Sequence, residues 1–398
     1  MIPKIDSDIG IFLYTTKFTG CGGKIRNTLE DFAVSEILNK KILDSFSDKE
    51  GYAVYKLQKS GIDTNHALES VFRKTGVRLK SLGLKDAHAT TTQYVCSVGQ
   101  NKAIVNYSDG KISLEKIGFT KKPLSGKDMV GNYFAIRIHG ANDSLVDFTE
   151  SDKILNFYGY QRFGSKRPVT HLIGKAILQK RFSDAIDLIL SFTSEYDSER
   201  NTKVRQELAD QSNYSKVLDT IPPQMDLERT ILTEMIAHGD PQKALHKLPI
   251  GIRRLYIEAY QSFLFNLTLS HAYQYGEELF ASQQGDVCFD KNAKLGKYEM
   301  VDSQKLAIPL VGFSYFKKTR FDYHISKILQ QEQIKPSDFY LKQMQELSNE
   351  GGFRSASIIC NDFSIRPDLV SFSLQRGSFA TMVMREIIKP ERPLEAGF

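Results

Sequence analysis

A chain of 398 residues exceeds the ~250 to 300 at which a single hydrophobic core usually stops growing, so one main domain and one addition are expected. With 41% hydrophobic and 25% charged residues, and no run near the ~18 apolar residues of a membrane helix, the chain is expected to be neither disordered nor membrane-spanning. The net charge of +6 is too small to mark a nucleic-acid protein by itself, so the distribution of charge has to carry that question.

The N-terminal stretch MIPKIDSDIGIFLYTTKF holds two Asp and a short apolar patch, unlike a secretory signal, and a cytoplasmic location is expected. DFAVSEIL (31–38) and YAVYKL (52–57) read as strands from their alternation and their β-branched or aromatic content. Asp63 or Thr64 can N-cap a helix whose Ala67, Leu68, Val71 and Phe72 share a face, with Gly76 as its C-terminal cap. GLKDAHATTTQ (83–93) then enters a strand through Tyr94, Cys96 and Val98, which puts Asp86 on the loop before it. YFAIRIHG (133–140) predicts another strand, and Ser144 to about Phe157 a helix.

Past Arg167–Pro168 the pattern becomes helical: HLIGKAILQKRF, SDAIDLILSF, DLERTILTEMIAHG and RRLYIEAYQSFLFNLTLSHAYQYG. RSASIIC and DLVSFSLQ return to strands before GSFATMVMREII. Strands, then helices, then strands again suggest an insertion into one α/β domain.

Four scattered cysteines, Cys21, Cys96, Cys288 and Cys360, form no CxxC pair, which argues against a zinc site or a disulfide scaffold. No P-loop, GxSxG or HExxH motif is present, so no metal or nucleotide cofactor is expected. Charge is uneven, however. From Lys153 to Ser183 there are seven Lys or Arg and no acid, and between Glu69 and Asp86 five more cations. With Phe157, Tyr158, Tyr160 and Phe163 interleaved, such runs suit a polyanion whose bases can stack, or simply a solvated basic face.

GLKDAHATTTQ closely resembles the Gly-x-Lys-Asp-x-x-Ala-x-Thr-x-Gln signature of the TruD family of RNA pseudouridine synthases. Further blocks follow in the family's order: RNTLEDFAVSE (26–36), GNYF (131–134), NFYGYQRFG (156–164) and GSFATMVMRE (377–386), with AYQSFLFN (259–266) a weaker match. Leu155, the inverted Phe157–Tyr158 pair and Gln375 depart from the usual pattern without altering a chemical group. The resemblance implies an α+β fold in which a pseudouridine-synthase catalytic domain with a mixed, mainly antiparallel sheet is interrupted by a largely helical insertion domain. The boundaries expected are 1–166 and 354–398 for the catalytic domain and 167–353 for the insertion.

It also implies tRNA as substrate, uridine 13 of the D-arm as the commonest target, other RNAs as further partners, and no cofactor. Asp86 matches the catalytic carboxylate, which must stay ionised in a closed site and so needs a nearby cation. Arg26 is the first candidate and Lys85 the second. Phe134 matches the stacking position, with Phe32 as an opposite wall; Asn132 can hydrogen-bond the nucleotide, and Gln161, Arg162 and Phe163 complete the expected substrate-binding set. A non-catalytic RNA-binding or RNA-chaperone module using the same basic and aromatic surface is the alternative.

Overall fold

The computed structural model describes residues 1–85, 87–100, 106–301, 303–315 and 318–398, so Asp86 lies outside the described residues. Its frame is a sheet with nine strands among the described residues. In chain order these are β1 (Phe32–Leu38), β2 (Tyr52–Ser60), β3 (Leu79–Ser81), β4 (Thr90–Ser97), β5 (Asn106–Ser108), β6 (Ile112–Thr120) and β7 (Met129–Arg137). A second sheet takes β8 (Val287–Phe289), β9 (Leu295–Lys297), β10 (Lys305–Leu310) and β11 (Gly352–Ser355), and the first is completed by β12 (Asn361–Ile365) and β13 (Leu369–Gln375).

The main sheet runs β12-β13-β7-β1-β4-β2-β6-β5, with β3 on β4. β1 and β4 pair in parallel, and the other pairings are antiparallel, so the sheet is mixed and mainly antiparallel. Residues 32–137 and 361–375 thus meet in one sheet across a long intervening segment.

Alternation explains the strands. In β1, Phe32, Val34, Glu36 and Leu38 are buried and the residues between them are half exposed. The helix Thr64–Thr75 starts where Asp63 accepts from the Asn65 and His66 amides and stops at left-handed Gly76. Its Ala67 and Val71 cover Ala53, Tyr55 and Leu57 of β2.

The segment expected as a helix from Ser144 to Phe157 is not one: only Asp143–Asp147 forms a 3-10 turn. Ile154, Leu155, Asn156 and Phe157 are all buried, so no single helical face could satisfy them. They run beside residues 356–358 instead, with Asn156 N–H donating to the Ala356 carbonyl (2.9 Å) and Ile358 N–H to that of Ile154 (2.8 Å).

Between β7 and β8 lie the helices Thr170–Leu178, Phe182–Ser191, Asp226–His238 and the 25-residue Ile250–Gln274. The weak block AYQSFLFN sits on the last of these, and its polar residues account for it. Asn266, fully buried, donates to the carbonyls of Ile9 (2.9 Å) and Tyr158 (3.1 Å) and accepts from Tyr158 N–H (2.8 Å). Gln261 donates to the Val311 carbonyl (2.8 Å) and to Asn349 (2.9 Å).

His171 stacks on Phe263 with ring centroids 4.8 Å apart, and burial pushes its pKa down to about 3. Above the ordinary pKa near 6.5 both folded and unfolded chains hold it neutral; below that, only the unfolded chain takes the proton. Its contribution is therefore complete above pH 6.5 and shrinks as the pH falls toward about 3. Between pH 6.5 and 5 this one group is expected to remove about 2 kcal/mol of stability. Urea titrations at the two pH values check it: the His171→Phe variant should lose less on acidification than the parent.

Candidate active site

β1, β4 and β7 lie side by side, and their registers put Val34 opposite Phe134 on one flank and Thr91 on the other. The pocket of about 230 Å³ that opens there is lined by Arg26, Phe32, Lys85, Asn132, Phe134 and Gln161, with the segment 378–381 closing one side. Six residues singled out in four separate sequence blocks therefore share one cavity.

Its wall is aromatic. Phe134 meets Phe32 edge to face at 6.2 Å and lies 5.7 Å from Phe372 of β13. The GNYF block begins with glycine because β13 runs too close for a side chain: a Cβ on Gly131 would overlap the Leu374 carbonyl. Gly131→Ala should push β13 from β7 and cost about 1–3 kcal/mol, read as a lower melting temperature, with Asn132 and Phe134 displaced. The glycine closing NFYGYQRFG has a similar cause, since Gly164 is left-handed at φ 103° and a Cβ there would overlap the Arg167 carbonyl.

The two cations expected to serve Asp86 are held very differently. Arg26 has a left-handed backbone (φ 61°), unusual without glycine. Its guanidinium lies 4.1 Å from the Phe32 ring centroid and donates to the Gly397 carbonyl (3.0 Å), so ring and C-terminal segment fix it beside the pocket. The Lys85 ammonium instead donates to Glu36 (2.8 Å), whose side chain is fully buried.

Glu36 and Gln93 stand in the quoted blocks without a role, Thr64 is singled out only as a possible helix cap and Lys59 not at all, yet these residues build the frame of the loop. Gln93 donates to the Gly83 carbonyl (2.9 Å), Thr64 accepts from Lys85 N–H (2.9 Å), and Lys59 donates to the Lys85 carbonyl (3.4 Å). Glu36 also accepts from Tyr94 N–H (2.8 Å). A signal was present. Glu36 follows Phe32 and Val34, Lys59 follows Tyr55 and Leu57, and Gln93 precedes Val95, each a polar residue on the buried phase of a strand.

Asn132, half-buried, offers a different opportunity. Its Oδ1 is buried and accepts no hydrogen bond among the described residues. Arg162 and Phe163 stand apart from the pocket lining. Arg162 is paired with Glu258 (2.9 Å), and Phe163 is fully buried edge to face on His171 at 5.4 Å.

Burial raises the thiol pKa of Cys21 to about 11 and of Cys360 to about 12, which keeps both protonated near neutrality. Among the described residues no group of three His, Cys, Asp or Glu is placed to hold a metal, and no helix is long and apolar enough to cross a membrane.

Residues 8–387 match the family model described as tRNA pseudouridine synthase D (TruD). A protein of Pyrobaculum islandicum named as a probable tRNA pseudouridine synthase D is 31% identical over 418 residues, covering 100% of this chain and 99% of its own. One of the same name from Methanosarcina acetivorans is 30% identical over 444 residues, covering 99% and 98%. A crystal structure from Methanosarcina mazei, titled for the same synthase, superposes with a TM-score of 0.79 at 27% identity, covering 99% of each chain.

The family match and the shared fold together define an RNA-modifying isomerase of the pseudouridine-synthase class. Within that class, the chain belongs to the tRNA pseudouridine synthase D (TruD) family.

Proposed function

We propose that this protein isomerises uridine to pseudouridine at position 13 of the tRNA D-arm by flipping the base into the pocket beside β1, β4 and β7. The observation that carries the reading is the convergence of Arg26, Phe32, Lys85, Asn132, Phe134 and Gln161 on one cavity at the loop that bears Asp86. Asp86 itself is assigned from the motif match.

In the proposed reaction the C1′–N1 bond breaks, the freed uracil turns, a C1′–C5 bond forms, and the C5 proton leaves while N1 is protonated. Atoms and electrons balance without a redox partner, metal or nucleotide. Asp86 acts on C1′ as nucleophile or removes a proton in an elimination, and Arg26 holds it ionised. Phe134 stacks on uracil, Phe32 borders the cavity, and the free Asn132 Oδ1 takes the N3–H of the ring.

A neighbouring cleft of about 630 Å³ suits the RNA backbone. Lys127, Lys291, Lys305, Arg354 and Arg376 line it with Asp290 as the single acid among the described lining residues, and Ser378 borders both cavities. Residues 167–353 are read as the insertion and 1–166 with 354–398 as the catalytic domain; the cleft draws on both. The cytoplasm is the proposed location and other RNAs are further candidate substrates.

Incubating the wild-type protein with unmodified tRNA and mapping pseudouridine at nucleotide resolution tests the reading. Product at position 13 is expected. Product only elsewhere rejects the position. A folded, RNA-bound protein that yields none rejects the enzyme in favour of a binding module.

A further inference from the structure

Leu84 combines two properties that do not belong to an ordinary loop residue. The residue is 68% exposed, yet it lines the pocket, immediately before Lys85 and the position assigned to the reactive carboxylate. Single exposed leucines are common and need no account by themselves. Here the backbone on both sides is tied down: the Gly83 carbonyl accepts from Gln93 (2.9 Å), Lys85 N–H donates to Thr64 (2.9 Å), the Lys85 carbonyl accepts from Lys59 (3.4 Å), and the Lys85 ammonium is held by Glu36 (2.8 Å). An apolar side chain is thus presented to solvent on a backbone that cannot easily retract it.

The surroundings indicate what covers it. Lys85 and Arg26 share the pocket, and the five-cation cleft meets the same cavity at Ser378, so a polyanion held along the cleft lies next to the pocket that Leu84 lines. A base drawn out of a folded RNA leaves a gap between its former neighbours, and unstacking costs a few kcal/mol. Proteins that break stacks use Leu, Ile, Phe or Met side chains as wedges in such gaps.

Resting on the flipping reading above, we propose that Leu84 is the wedge: as uridine enters the pocket, Leu84 occupies the space it vacates and keeps the neighbouring bases from closing. It is a substrate-contacting residue whose work lies in opening the stack rather than in bond making. The fixed backbone matters, because a loop that had to order on insertion would lose entropy.

The test uses tRNA with 2-aminopurine, a base whose emission rises on unstacking, placed next to the target uridine. The RNA is saturated with Asp86→Asn protein so that no product forms. A rise in emission on binding is expected. Adding Leu84→Ala should remove at least half of that rise at saturation, with affinity changed less than tenfold, and Leu84→Met should keep it. An equal rise with Leu84→Ala, or no rise with the parent, overturns the wedge. A drop in affinity beyond tenfold with unchanged emission of the saturated complex overturns it too, since Leu84 would then be a binding contact only. Failure of the wild-type protein to modify tRNA is a separate result and bears on the proposed function instead.

Discussion

Replacing Arg385 with methionine is expected to lower stability by about 3–5 kcal/mol, because it removes one partner from a buried charge cluster and leaves the others uncompensated. Arg385 is buried on the helix Ala380–Ile388. It donates to Asp6 (2.7 Å), to Glu386 (3.2 Å) and to the Leu13 carbonyl (3.1 Å), and it lies 4.0 Å from the Tyr14 ring centroid. Asp6 also accepts from the Tyr160 hydroxyl (2.6 Å), and burial with the Asp6 charge holds that hydroxyl well above the usual tyrosine range.

The cluster joins residues 6–16, the NFYGYQRFG block and the C-terminal helix whose first residues line the pocket. Against a typical total stability of about 5–15 kcal/mol, the loss takes from about a fifth to all of the margin. Urea unfolding followed by circular dichroism should show a lower midpoint at nearly unchanged slope. Adding Asp6→Asn to Arg385→Met should restore part of the loss, since it removes one stranded charge. A further fall would mean that packing, rather than charge, dominates.

That cluster also shows what the sequence could not display. Strands and caps are legible because their causes are local: the alternation of Phe32, Val34, Glu36 and Leu38, or Asp63 and Gly76 bracketing a helix. The pairing of Asp6 with Arg385 spans almost the whole chain, and nothing near either residue announces it. The failed helix at 144–157 has the same origin, since Ile154–Phe157 are committed to contacts about 200 residues away.

Charge is where sequence and structure part furthest. The acid-free run from Lys153 to Ser183 reads as a basic surface, but folding supplies the acids from elsewhere. Arg162 meets Glu258, Arg167 meets Glu228 and Lys175 meets Glu332, while Arg181 takes Asp184, the residue just past the run. Arg167 is spent further on the carbonyls of Leu188 and Ile189. The cleft that concentrates cations uses Lys127, Lys291, Lys305, Arg354 and Arg376, which lie too far apart in sequence to read as a run. Arg354 is tied inward as well, 3.9 Å from the Tyr158 ring centroid and donating to Asn156 Oδ1 (2.8 Å).

The second large effect is expected in chemistry rather than stability. Asp86→Asn should lower the rate of pseudouridine formation at least about 10³-fold, a loss of ~4 kcal/mol in transition-state stabilisation, while changing tRNA affinity by less than about threefold. The amide keeps the size of the carboxylate but can neither attack C1′ nor take a proton. The residues that frame the loop, Glu36, Lys59, Thr64, Gln93 and Lys85, are untouched, so its backbone should hold its place. In the proposed complex, binding draws on the cleft cations and on Phe134, which the substitution leaves intact.

Single-turnover assays with enzyme in excess separate the step from tRNA release, and filter binding gives the affinity. Turnover within about tenfold of wild type would remove Asp86 from the reactive position. An equal fall in rate and affinity would move its role to holding RNA. Lys85 is already engaged by Glu36, so Arg26, fixed over Phe32 in the same pocket, is the cation whose loss should next resemble that of Asp86.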